Sequence, residues 1–156
     1  MSATTIVIGY GNELRSDDAI GQKIANTIES WHLLSVQSLA VHQLTPELAT
    51  NLATADLAIF VDACVDAAPL DVQVRSLLPS NGQILSAHSS DPRSLLSLTQ
   101  FLYGHCPPAW LVTVPGVNFE FGDRLSPIAE TGIAIALVKI IKILDKCKGL
   151  WMQLGV

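Results

Sequence analysis

The run Ile6-Val7-Ile8-Gly9-Tyr10-Gly11-Asn12-Glu13-Leu14-Arg15-Ser16-Asp17-Asp18-Ala19-Ile20-Gly21 constrains the fold more than any other. It reads as a short apolar strand, a glycine turn and a pair of carboxylates that opens a helix. Glycine tolerates positive φ and lets another backbone approach where a side chain would clash. Asp17 and Asp18 suit a helix start, where one caps free amide groups and both meet the positive end of the macrodipole. A dinucleotide site asks for something else. The spacing Gly-x-Gly-x-x-Gly requires a third glycine at position 14, where this chain has Leu14. Two acids at the turn would also repel a pyrophosphate. The turn is therefore expected to hold a cation or to donate carboxylates.

The rest of the chain alternates strand and helix, the signature of a mostly parallel sheet. Strands are expected at 5–9, 36–41, 57–61, 72–77, 83–85 and 110–114. The run 57–61 is continuously apolar and reads as the central buried strand. Helices are expected at 18–33, with Ile20, Ile24, Ile28 and Trp31 as its apolar stripe, and from Thr45-Pro46-Glu47 to about 55. Two more run from Asp91-Pro92 to about 103 and from Ser126-Pro127 to about 146. In the last, Lys139, Lys142 and Lys146 share one face and the remainder reads as deeply packed. The expected fold is a single α/β domain over 1–156, a twisted sheet of about five strands with helices on both faces.

Composition narrows the function. Hydrophobic residues make up 49% and charged ones 15% of the 156 residues. That suits a sheet covered on both faces. A net charge of −5 with no basic cluster argues against nucleic acid. The three cysteines are too few and too irregularly spaced for a disulfide framework or a zinc motif, so a reducing cytoplasm is expected. Met1 to Thr5 shows no basic n-region. The stretch 133–144 is broken by lysines and too short to span a bilayer, so no membrane role is expected.

In open parallel sheets, ligands bind beyond the carboxyl ends of the strands. Asp18 follows the first glycine turn, Asp62 ends the most apolar strand, and His88 follows 83–85. Two carboxylates and an imidazole suit a divalent metal with open positions. Each residue also has a plain structural reading. Asp18 is equally explained as a helix cap, and a lone histidine is more often structural than a ligand. Asp62 is harder to set aside, because aspartate is rarely buried unless paired. Cys64 near His88 would suggest a thiol nucleophile, but nothing marks it as activated, and small buried cysteines are common.

The opening motif, with Asp62 and His88, resembles the [NiFe]-hydrogenase maturation endopeptidases. The family pattern Gly-x-Gly-Asn-x-Leu-x-x-Asp-(Asp/Glu)-(Gly/Ala)-x-Gly falls on Gly9, Gly11, Asn12, Leu14, Asp17, Asp18, Ala19 and Gly21. Gly122-Asp123-Arg124-Leu125-Ser126-Pro127 is similar to the family's Gly-x-x-Leu-Ser-Pro element. The resemblance implies a cytoplasmic, monomeric protease that removes a C-terminal extension from the hydrogenase large-subunit precursor after nickel insertion. It implies nickel contacts at Asp18, Asp62 and His88, with the metal borrowed from the substrate. Asp18 and Asp62 are then also candidate catalytic acids, as a metal-assisted pair or as general base and acid. Gln43-Leu44-Thr45-Pro46-Glu47-Leu48 resembles members that serve bidirectional, NAD(P)-linked hydrogenases. His42-Gln43-Leu44 replaces the Asp-Gly-Gly-Thr-like turn of other members, which bears on substrate choice. A non-enzymatic nickel escort using the same ligands is the competing expectation, and a nucleotide-binding domain the third.

Overall fold

The computed structural model describes residues 3–80 and 91–153, with side chains described as far as 147. Strands β1 (Thr5–Tyr10), β2 (Val36–Val41), β3 (Leu57–Cys64), β4 (Gln73–Leu77) and β5 (Ala109–Pro115) form one sheet in the order β2-β1-β3-β5-β4. All pairings are parallel except the edge pair β4–β5. Helices α1 (Ile20–Ser30), α2 (Leu48–Ala53), α3 (Pro92–Tyr103) and α4 (Pro127–Gln153) cover it. This is the expected α/β sheet with helices on both faces. The strand expected at 83–85 lies outside the described residues.

Strand alternation divides the core into two layers. Val7, Ile59, Val61, Val112 and Val114 face α1 and α4, meeting Ile20, Ile24, Ile28, Ala129, Ala136 and Ile140. Ile6, Ile8, Ala58 and Phe60 face α2 and α3, meeting Leu48, Leu52, Leu95 and Leu96. β3 sits at the centre, and Leu57 to Val61 are all buried, as the apolar run requires.

Several local signals are answered as expected. Asp91 caps α3 by accepting from the Arg93 N–H at 3.0 Å, and Gly104 closes that helix in the left-handed conformation, with φ of 80°. Ser126 caps α4 by accepting from the Ala129 N–H at 3.1 Å.

Four expectations change. α1 begins at Ile20 after a 3-10 turn, Ser16–Ala19, and ends at Ser30, so Trp31 falls in the following turn and is exposed. Thr45 does not cap α2. Its hydroxyl donates to Glu47 at 2.8 Å, and the chain enters α2 through a turn with i→i−3 bonds. β3 runs three residues further than its apolar run, because β5 pairs with it as far as Cys64. α4 is less deeply packed than expected. Lys139, Lys142 and Lys146 are exposed, but so are Val138 and Ile141, since the helix rests on β5 and α1 along one side only.

Candidate active site

Three glycines bring the two carboxylates to one rim. A Cβ on Gly9 would lie 1.9 Å from the Gly21 carbonyl oxygen, and one on Gly21 would lie 2.5 Å from that of Val61. No side chain fits either place, so α1 closes directly onto β1 and β3. Gly11, with φ of 148°, lies under the Asp18 carbonyl oxygen, 2.1 Å from where its Cβ would stand. The turn is thereby folded back over the carboxyl end of the sheet.

Asp18 is half-buried in this turn, and its Oδ2 accepts from the Asn12 N–H at 2.8 Å. Neither acid caps α1. Asn12 in turn accepts from the Leu14 N–H through its side chain at 2.9 Å, which closes the loop between the glycines and the acids.

Asp62 stands one position beyond Val61, which pairs with Gly9 across β1–β3. It is thus level with Tyr10, on the face shared with Ile8 and Phe60. Burial, and then the negative charge of Asp18, push the Asp62 carboxyl up to about 6, against the smaller downward pull of the Tyr10 phenol and the Ala63 amide. Tyr10 is itself pushed far up, by burial first and then by the charge of Asp62. Asp91, the cap of α3, adds to that field. Asp18 and Asp62 therefore lie within electrostatic reach of each other, with Tyr10 bonded to Asp62. The sequence reading missed Tyr10, although its place at a strand end beside Asp62 follows from register.

Asp17 behaves differently from its neighbour. It is fully buried and reaches across to the β5–α4 loop. Its Oδ2 accepts from the Val117 N–H, the Asn118 N–H and the Ser126 hydroxyl, and its Oδ1 from the Ser126 N–H, at 2.8–3.0 Å. Burial pushes its carboxyl up, but these donors outweigh burial and hold it below the usual range. The expectation that it caps α1 is corrected: it ties two distant segments together. Ser16, before it, adopts a left-handed φ of 52°, which turns the chain so that both acids can diverge.

The third expected ligand, His88, lies outside the described residues. Among the described residues no three His, Cys, Asp or Glu side chains gather into a metal site. His105 is structural, its ring bonded to the carbonyls of Ala53 and Tyr103. Cys64 is half-buried, and burial followed by the charges of Asp62 and Asp71 pushes its thiol up, the opposite of an activated nucleophile. Among the described residues no helix is long and apolar enough to cross a membrane.

The chain is a mostly parallel α/β sheet with two neighbouring carboxylates at its carboxyl rim. Neither a protein-family model nor a curated protein matches the chain, and the likeness is found in solved structures. The hydrogenase maturating endopeptidase HybD from E. coli superposes with a TM-score of 0.74 at 27% identity, over 92% of this chain and 93% of that one. The solution structure of an endopeptidase from Escherichia coli gives 0.73 at 26% identity, with the same coverage. The [NiFe] hydrogenase maturation protease HycI from Thermococcus kodakarensis, at 20% identity and a TM-score of 0.72, shares the fold over 92% of this chain and 93% of its own. The chain thus shares its fold, and about a quarter of its residues, with solved hydrogenase maturation endopeptidases.

Proposed function

We propose that the chain is a processing endopeptidase that removes the C-terminal extension of a [NiFe]-hydrogenase large-subunit precursor once nickel is in place. The observation that carries this reading is the pairing of Asp18 with Asp62, close enough for one charge to lift the other. Like charges held together at a rim are relieved by a cation or by a shared proton. Asp18 and Asp62 are hard oxygen donors and suit a metal that arrives with the substrate, with His88 proposed as the third contact. Nickel carried by the precursor would supply recognition and Lewis acidity at the scissile carbonyl. Asp62, with its carboxyl near 6, is largely ionised at neutral pH and can take a proton from the attacking water. It then gives that proton to the leaving amine, while Asp18 keeps the field that sets its basicity. Cytoplasmic action by a monomer is part of the proposal. So is service to a bidirectional hydrogenase, which rests on the segment 43–48 between β2 and α2.

The test is incubation with nickel-loaded precursor, read by mass. A shortened precursor is expected, with nickel-free precursor cut poorly. An uncut precursor that still binds the protein would favour a nickel escort instead.

A further inference from the structure

The loop 116–126 between β5 and α4 is held with unusual stiffness for a connection. Besides the four bonds to Asp17, Gly122 donates its N–H to the Leu14 carbonyl at 2.8 Å and accepts from the Ser16 N–H at 2.9 Å. The Ser16 hydroxyl donates to the Glu120 carbonyl at 2.8 Å, and the Asp17 N–H to the Asn118 carbonyl at 2.9 Å. The loop thus pairs along the turn that carries Asp18.

Its two phenylalanines have opposite fates. Phe119 folds inward over Gly116, whose Cβ would come within 2.7 Å of the Phe119 ring and 2.8 Å of the Asp17 Cβ. Phe121 is 87% exposed, and Leu14 and Val117 are 53% exposed. A slack loop would tuck such an aromatic side chain away. This one is pinned on both sides and displays it. An aromatic anchor held ready in this way binds at low ordering cost.

We infer that Phe121, with Leu14 level with it across the Arg15–Gly122 bridge, is the precursor-binding contact of this protease, taking an apolar segment of the polypeptide next to the bond to be cut. The inference rests on the proposed endopeptidase reading. The occupant follows from position: Leu14 lies on the turn that carries Asp18, and the loop bearing Phe121 is bridged to that turn through Arg15 and Gly122, so a chain reaching the carboxylates is taken to pass over them. A second copy seated there would obstruct that approach.

The experiment compares the unmodified protein with Phe121→Ala and Phe121→Leu on nickel-loaded large-subunit precursor. Phe121→Ala should keep its melting temperature and raise KM about tenfold or more, with kcat changed much less. Phe121→Leu should recover most of the loss. Binding of the same precursor is measured separately on an Asp62→Asn background, where Phe121→Ala should weaken it by a similar factor. Unchanged KM and unchanged affinity in Phe121→Ala would overturn the inference while leaving the protease reading intact. Phe121-dependent binding without cleavage by the unmodified protein would uphold the contact and retire the protease reading. A dimer that Phe121→Ala dissolves, with precursor affinity unaltered, would assign the patch to self-association and overturn it.

Discussion

Asp17 and Asp18 are adjacent in sequence and opposite in circumstance. Asp17 is sealed from solvent with four donors on its two oxygens. Asp18 is half-buried and takes one N–H from its own turn. Across the rim, Asp62 meets a neighbouring negative charge and carries a carboxyl lifted to about 6. A carboxylate saturated with donors is already committed and has no capacity left for chemistry. One left under-satisfied beside a like charge stores an unfavourable interaction that a cation or proton can relieve. The two adjacent acids are therefore set apart by their surroundings: Asp17 ties the turn to the β5–α4 loop, and Asp18 is left with a single donor from its own turn.

The sharpest break of this contrast is in activity. Asp62→Asn and Asp18→Asn should each lower precursor cleavage by about two to four orders of magnitude, the usual worth of a positioned acid or base. Folding should survive in both. The amide introduced by Asp18→Asn retains a side-chain oxygen for the Asn12 N–H, and the neutral amide of the Asp62→Asn variant no longer repels Asp18. Cleavage rate measured against melting temperature decides the matter. Near-normal cleavage by both variants would remove the carboxylates from the site.

The next largest effect belongs to Asp17 and reads out in stability. Asp17→Ala strands the N–H groups of Val117, Asn118 and Ser126 under the loop and should cost about 3–5 kcal/mol by urea unfolding. Asp17→Asn is expected to be intermediate, because one of its terminal atoms becomes a donor facing donors. A loss below about 1 kcal/mol in Asp17→Ala would mean that the loop is held by its backbone bonds alone.

Much of this is legible in the sequence because it is local. Alternation, the apolar run at 57–61, Asp91-Pro92 and Ser126-Pro127 all act within a few residues of themselves. The role of Asp17 is not. A carboxylate before a helix looks like a cap, and its actual donors lie 100, 101 and 109 positions away. Ser126 reads correctly as a cap, yet its second bond, to Asp17, has no local signature. The apolar run places Asp62 just past a strand that in fact continues to Cys64, since only the pairing with β5 fixes where β3 ends. Val138 and Ile141 look like core for a similar reason: apolar residues mark a helix as packed without saying how many sides have neighbours.

The smallest effect is the most discriminating, because the two kinds of acid give pH dependences of opposite sign. The folded-state carboxyl of Asp62 lies above its ordinary 3.8, at about 6, so at neutral pH its ionisation opposes folding. As pH falls through about 6 toward 3.8 the folded form takes up the proton first, and this contribution to stability rises. The full swing is on the order of 3 kcal/mol at most, from a shift of about two units at 1.36 kcal/mol each. Asp17 is held below its ordinary value, so its contribution is complete above 3.8 and is lost as pH falls further, through the folded-state value. Urea unfolding at a series of pH values between 7.5 and 3 should therefore show Asp62→Asn differing from the unmodified protein mainly above pH 4, where it is the more stable. Asp17→Asn should differ at every pH above 4 as the less stable protein, and should converge toward it below. If Asp62→Asn instead loses stability at pH 7.5 and gains it on acidification, Asp62 is a satisfied structural acid like Asp17, and the division of labour between the two carboxylates is wrong.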